Sequence, residues 1–150
     1  MNEIRSAKTF DAERIARLIL KTSIDCCFSK ESPCPDWYRE SVATDKIKKM
    51  IGLKEYEWLV ASQGNEIIGV LAVEKKSCIK YYFVLPEFQG LGIGRSLWSE
   101  AIRRYLLSAE VTVRSSIIAV PVYEKLGFMK TGDIADVNGM LYQPMAAKDG

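Results

Sequence analysis

Hydrophobic positions in this chain follow a helical period first and a strand period later. Glu3-Ile4-Arg5 reads as a short strand, and after Thr9, a helix N-cap by its hydroxyl, Ala12, Ile15, Ala16 and Ile19 fall at i, i+3, i+4 and i+7. That spacing predicts a helix ending near Phe28. The prolines between Ser29 and Asp36 make that stretch a loop, after which Trp37 to Val42 and Thr44 to Ile51 read as helices; Ile47, Met50 and Ile51 form an inward face and Gly52 a stop. The period then falls to two. Tyr56, Trp58 and Val60 alternate with Glu57, Leu59 and Ala61 as in a half-buried strand. Gln63-Gly64-Asn65 turns the chain into Ile67 to Val73, and Lys75-Lys76-Ser77 turns it into Cys78 to Leu85. Three consecutive antiparallel strands are expected.

Beyond them a helix is predicted from about Gly92 to Leu107, with Leu97, Trp98, Ala101 and Tyr105 inward and Arg95, Glu100, Arg103 and Arg104 outward. Val111 to Arg114 reads as a strand, Ile118 to Leu126 as a helix, and about Phe128 to Thr131 and Met140 to Met145 as two last strands. No internal repeat or low-complexity segment interrupts the pattern.

Between the third strand and its helix lies the most informative segment, Tyr82 to Leu97. An apolar run stops at Pro86, passes Gly90, Gly92 and Gly94, and opens into an amphipathic helix. Alternate glycines let an anionic group approach the backbone, and the helix start offers unpaired N–H groups and the positive end of its dipole. This is the layout of a phosphate cradle. A P-loop needs Lys-Ser/Thr after the glycines, whereas Arg95-Ser96 stands here, and a dinucleotide fingerprint needs G-x-G-x-x-G with an acidic residue ending the next strand, whereas Glu110 opens one.

Gln89-Gly90-Leu91-Gly92-Ile93-Gly94 resembles instead the Q/R-x-x-G-x-G/A motif of the GNAT superfamily of acyl-CoA-dependent N-acetyltransferases, and Phe83 to Glu87 resembles the strand that precedes it there. Ser116 to Phe128, with Ala119, Tyr123 and the closing Gly127-Phe128, is similar to that family's second signature. The resemblance is strong from about Glu55 to Phe128 and weak over the first 50 residues. It implies an α/β (α+β) domain spanning residues 1–150, with a central, mostly antiparallel twisted sheet of about 6–7 strands flanked by about 4 helices.

It also implies roles. Within a cofactor-binding segment from Gly90 to Ser96, chiefly the backbone N–H groups of Leu91, Gly92, Ile93, Gly94 and Arg95 would hold the pyrophosphate of acetyl-CoA, with the Gln89 side chain assisting and Arg95 adding charge. Phe83, Val84 and Leu85 match the strand that splays to take the pantetheine arm, and the Val84 N–H would polarise the thioester carbonyl. Tyr123 matches the phenol that protonates the departing thiolate. Ser116 stands where many members carry an Asn on the pantetheine, and Lys125 is placed to touch the CoA phosphates.

No general base is legible. Some members carry a Glu five residues before the position of Val84, and Ile79 occupies it here, which leaves Glu74, or Tyr81 and Tyr82 through a water. The acceptor, an amine of a small molecule or peptide, should meet the segment from about Ile24 to Tyr38 and the late strands near Asp133 to Met140, with Phe28, Trp37 and Tyr38 as an aromatic wall and Asp133 and Asp136 as thin anionic elements. A CoA-binding module without catalysis and a nucleotide-binding regulatory domain are the rival readings; Tyr123 separates the first and the Val84 to Ser96 block the second.

Composition narrows the chemistry. The chain has 150 residues, 48% of them hydrophobic, and a net charge of +2 without a run of basic residues, which argues against nucleic acid and anionic membranes as partners. With no apolar stretch of membrane-spanning length and no secretory signal at Met1 to Arg5, the cytoplasm is the expected location. It has no histidine, so no Ser-His-Asp or Cys-His machinery is possible, and Cys26, Cys27, Cys34 and Cys78 lack metal-ligand spacing. Reduced thiols and no metal are expected. Pro144, tolerated at a sheet edge, and the apolar Met140 to Gln143 suggest an exposed last strand, and members resembling this chain often pair through such strands, so a homodimer is expected; an edge merely blunted by Pro144 and the tail Lys148 to Gly150 is the alternative.

Overall fold

The structure is a computed structural model that describes residues 2–28, 31 and 33–148, the side chains of Cys26 and Lys148 excepted. The elements run β1 (Glu3–Ser6), α1 (Ala12–Cys27), α2 (Asp36–Ser41), α3 (Thr44–Ile51), β2 (Tyr56–Gln63), β3 (Glu66–Glu74), β4 (Cys78–Val84), α4 (Ile93–Arg103), β5 (Glu110–Ser115), α5 (Val120–Lys125), β6 (Met129–Lys130), β7 (Ala135–Val137) and β8 (Met140–Lys148). Parts of the predicted loop at Ser29, Lys30 and Ser32, and the tail residues Asp149 and Gly150, lie outside the described residues.

The strands form one eight-stranded sheet in the order β1-β2-β3-β4-β5-β8-β6, with β7 also on β8. Every pairing is antiparallel except β4 with β5. One face of the central strands packs on α4: a Cβ on Gly69 would sit 3.2 Å from Leu97 and 3.3 Å from Ile93, so glycine is what lets the helix approach. The opposite face, with Trp58, Ala72 and Tyr81, lies on the α1 side, where α1 packs across β3 and β4. Because both faces are covered, Trp58 to Ser62 are buried without interruption. The half-buried alternation expected for this strand is therefore corrected.

Asp11, and not Thr9, organises the start of α1. Its fully buried carboxylate accepts the Lys8 N–H at 2.8 Å, both Arg5 amino groups at 2.8 and 3.0 Å, and Arg14 at 3.4 Å. Thr9 opens a one-turn 3-10 segment instead. At its far end, α4 stops at Arg103, earlier than predicted. Tyr105 has φ of 58° and is 83% exposed, and the bonds Tyr105 N to Ile102 O and Leu106 N to Ala101 O close the helix in a Schellman arrangement. Tyr105 thus leaves the inward face, where it was expected. No glycine marks this stop.

The C-terminal part holds a strand that the sequence pattern did not predict. Asn138 and Gly139, with φ of 50° and 96°, join β7 to β8 with Val137 opposite Met140, a tight hairpin whose Asn-Gly signal is present in the sequence. β8 is not an edge, and this corrects the expected exposed last strand. It lies between β5 on one side and β6 and β7 on the other. Pro144 falls where the pairing with β7 ends and that with β6 begins; its carbonyl accepts Thr131 N–H on that side, so its missing donor meets the gap between two short strands. The exposed edge offered for a homodimer is therefore not at β8.

Candidate active site

β4 and β5 are in register only at Cys78–Thr112 and Ile79–Val113, and then diverge. Their divergence opens a cleft of about 980 Å³ through the sheet, reaching from the glycine loop and α5 on one side to α1, α2 and the β7–β8 hairpin on the other. The Leu85 N–H bonds Ile68 O at 2.9 Å on β3, so by strand alternation the N–H groups of Val84 and Tyr82 point the other way, into the cleft, where β5 offers no partner. Tyr82 was not singled out for its backbone, and the parity of the ladder is what reveals it.

At the loop, Gly90 and Gly92 have φ of 80° and 83°, a conformation that strains any L side chain, although a Cβ at either would meet nothing within 4 Å. Gly92 is the N-cap of α4 and no side chain caps the first turn. Ser96 turns its hydroxyl back to Gly92 O at 2.9 Å, and the Gln89 amide donates to Val84 O at 3.0 Å. The first-turn N–H groups of Ile93, Gly94 and Arg95 are left without a capping side chain, as an anion site requires. Gln89 is thus engaged in fixing the loop to the end of β4. Leu91 is exposed at the loop tip, and the Arg95 and Lys125 side chains are exposed at the same mouth of the cleft.

Tyr82 ties this loop to the rest of the site. Its phenol donates to Gly94 O, its ring stacks on Trp98 at 6.2 Å, and it meets the ring of Tyr123 edge-on at 6.0 Å. Burial holds its pKa well above the ordinary phenol range. Tyr123, buried on α5, also packs edge-on against Phe128 at 5.4 Å. Ser116 Oγ accepts the Ala119 N–H at 3.3 Å, so its side chain shapes the turn into α5. Phe83 and Val84 are half-buried lining residues, whereas Leu85 is buried in the core behind them.

On the α1 side the walls are Trp37, Tyr38, Met50, Tyr56, Met140 and Tyr142. The Trp37 indole donates to Asn138 O at 3.1 Å, clasping α2 to the hairpin turn, and Tyr38 shares a 2.6 Å hydrogen bond with Ser23. Phe28 packs on Tyr38 from behind and is not a lining residue. Asp136 accepts the Gly139 N–H at 2.8 Å, a turn role, and neither it nor Asp133 lines the cleft. Those two carboxylates are therefore not brought to the site. Glu74 is, and its carboxylate accepts the Tyr56 hydroxyl at 3.3 Å. Burial first, and Glu74 second, raise the Tyr56 pKa, and burial pushes Tyr81 up to about 12. The phenols of Tyr56, Tyr81 and Tyr82 all stay protonated at neutral pH, so Tyr81 and Tyr82 would act on a proton only by ordering a water.

Cys27 and Cys78 line the cleft and Cys34 lies half-buried nearby; Cys26 falls outside the described side chains. Among the described residues, no group of three His, Cys, Asp or Glu side chains is placed to hold a metal ion, and no helix is long and apolar enough to cross a membrane.

Comparison with known proteins agrees with this fold. Residues 12–148 match the family model of the acetyltransferase (GNAT) domain. The PaiA N-acetyltransferase of Thermoplasma acidophilum, solved in complex with coenzyme A, has a similar structure with a TM-score of 0.74, 20% identity and 99% of each chain covered. An aminoglycoside 6'-N-acetyltransferase complexed with coenzyme A gives 0.73 and 12%, over 98% of this chain and 97% of that one. A spermidine N-acetyltransferase, a SpeG chimera from Vibrio cholerae and hSSAT, gives 0.68 and 18%, over 99% and 95%. The chain belongs to the GNAT acetyltransferase family.

Proposed function

We propose that the protein transfers an acetyl group from acetyl-CoA to a primary amine by direct attack within a ternary complex. The observation that carries this reading is the parting of β4 from β5 beside the uncapped, glycine-started α4. The pyrophosphate sits on the first turn of α4, with Arg95 and Lys125 screening its charge, and the pantetheine bonds the open edge of β4 as an added strand would. The Val84 N–H then faces the thioester oxygen.

The amine enters from the α1 side after losing its proton, to water or to the Glu74 carboxylate through water. Its nitrogen forms a bond to the carbonyl carbon, and the negative charge that develops on oxygen is met by the Val84 N–H. As the intermediate collapses the C–S bond breaks, the thiolate takes the proton of the Tyr123 phenol, the nitrogen gives its surplus proton to solvent, and solvent returns a proton to the Tyr123 phenolate. Tyr123 suits this role because it is buried beside Tyr82 on the α4 side of the opening.

The test is twofold. CoA and acetyl-CoA raise the melting temperature more than NAD or ATP at matched concentration, because only a ligand selective for the folded site stabilises it. Thiol release from acetyl-CoA then rises on adding amines. Equal thermal shifts from all the nucleotides count against the CoA site, and binding without amine-dependent thiol release counts against catalysis.

A further inference from the structure

The α1 side of the cleft carries a charge arrangement that the transfer reaction does not require. Between Ala72–Tyr81 and Val73–Ile79 the register of β3 with β4 shifts, which leaves Lys80 without a partner on β3 as the extra residue of a β-bulge. A bulge breaks strand alternation, and it brings Lys80 to the same face as Tyr81, with the Lys80 ammonium 5.9 Å from the Tyr81 ring centroid. Arg114 follows Val113, the last residue of β5 in register with β4, so it stands next to Lys80 where the two strands part. Its guanidinium lies over the Tyr142 ring at 5.1 Å. Both cations line the cleft, and among the described residues neither is in a salt bridge.

Glu74 lies on this same face, held by Tyr56, and is the one carboxylate among the lining residues. Thr22 also lines this half of the cleft, with its hydroxyl oxygen enclosed by the protein. The site therefore offers two cations and one anion, walled by aromatic rings and Met50.

From this we infer that the acceptor is an amino carboxylate: an amine that carries its own carboxylate, with an apolar or aromatic side group. Lys80 and Arg114 receive the carboxylate, the amine points along β4 toward Val84, and the aromatic wall takes the side group. A polycation is disfavoured, since it would meet two like charges for one carboxylate, and such repulsion discriminates as strongly as attraction does. This inference rests on the acetyl-transfer reading of the cleft, so the experiment includes a binding arm that does not depend on turnover.

The probes are L-methionine and L-phenylalanine, their methyl esters, and spermidine, with acetyl-CoA thiol release as one readout and calorimetric binding to the CoA-loaded protein as the other. The free acids are expected to exceed both the esters and spermidine about ten-fold in kcat/KM or in affinity, as loss of one charge-assisted contact would produce. Lys80→Met and Arg114→Gln should each raise KM or Kd for the acids about ten-fold, leave those for the esters and the KM for acetyl-CoA unchanged, and together erase the difference between acid and ester. Acids that bind in this pattern without turnover keep the subsite and sink the acetyl-transfer reading alone. Esters or spermidine equal to the acids, no binding of the acids, or variants that bind the acids normally would overturn the inference.

Discussion

The phenol of Tyr82 donates a hydrogen bond to the carbonyl of Gly94. That carbonyl and the N–H of Arg95 belong to one planar peptide, so the bond fixes the direction of a first-turn donor of α4 and polarises it toward an anion. A residue of the splayed strand thereby sets the geometry of the glycine loop twelve positions along the chain.

Removing that bond should be felt at the cofactor more than at the chemistry. Tyr82→Phe keeps the ring stacked on Trp98 and against Tyr123, and is expected to raise the KM for acetyl-CoA by about 3- to 10-fold, the equivalent of one neutral hydrogen bond, with a smaller change in kcat. Steady-state kinetics with acetyl-CoA as the varied substrate checks this. A fall in kcat alone would mean that Tyr82 acts on the proton donor and not on the loop.

Tyr123→Phe should show the opposite split. It retains the edge-on packing with Tyr82 and Phe128 but removes the proton offered to the leaving thiolate, so turnover is expected to fall about 10- to 1000-fold while CoA affinity stays normal. Parallel calorimetry and turnover measurements decide it, and an unchanged rate with an unchanged pH profile would assign the proton to solvent.

The loop glycines differ in what they require. Gly92→Ala forces an L side chain into the left-handed region at the start of α4, and should cost about 1–2 kcal/mol, or about 3–8 °C in melting temperature, and weaken CoA binding. Gly94→Ala places its Cβ at an ordinary 3.5 Å from the Tyr82 hydroxyl and should leave both nearly unchanged. Gly94→Asp, with comparable backbone freedom, puts a carboxylate where the pyrophosphate belongs, so affinity should drop with little loss of melting temperature. Thermal melts with and without CoA separate the three.

Asp11 sets an acid limit on stability. Hydrogen bonds from Arg5, the Lys8 N–H and the charge of Arg14 hold its carboxyl below the ordinary carboxylate range despite its burial. A depressed folded-state pKa contributes stability in full above the unfolded value, near 4, that is lost as pH falls through the lower folded value. Asp11→Asn is therefore expected to cost about 2–4 kcal/mol at neutral pH, with the gap to the wild type narrowing below about pH 4. Urea titrations at both pH values test this; a gap that stays constant with pH would remove Asp11 from the acid response.

Much of the fold and of the cofactor half of the cleft is readable in the chain because its signals are local. The period change near Tyr56, the break at Pro86 and the alternate glycines each act within a few residues, and they suffice to place a glycine loop between a strand and a helix. What depends on pairing between distant segments was decided only by the tertiary structure. Pro144 suggested an edge because a strand's neighbours cannot be read from the strand itself, and its tolerance inside the sheet comes from the gap between β6 and β7. Tyr105 kept the helical period, but the chain ends α4 there through bonds that no glycine announces. The α1 half of the cleft, where we place the acceptor, is the extreme case. Lys80 reaches it through a register shift between β3 and β4, Arg114 through a parallel contact more than thirty residues away, and Asp136, the carboxylate in the expected place, is spent on its own turn. Such positions follow from the balance of pairings across the whole sheet, and a one-residue change in register moves a side chain to another face.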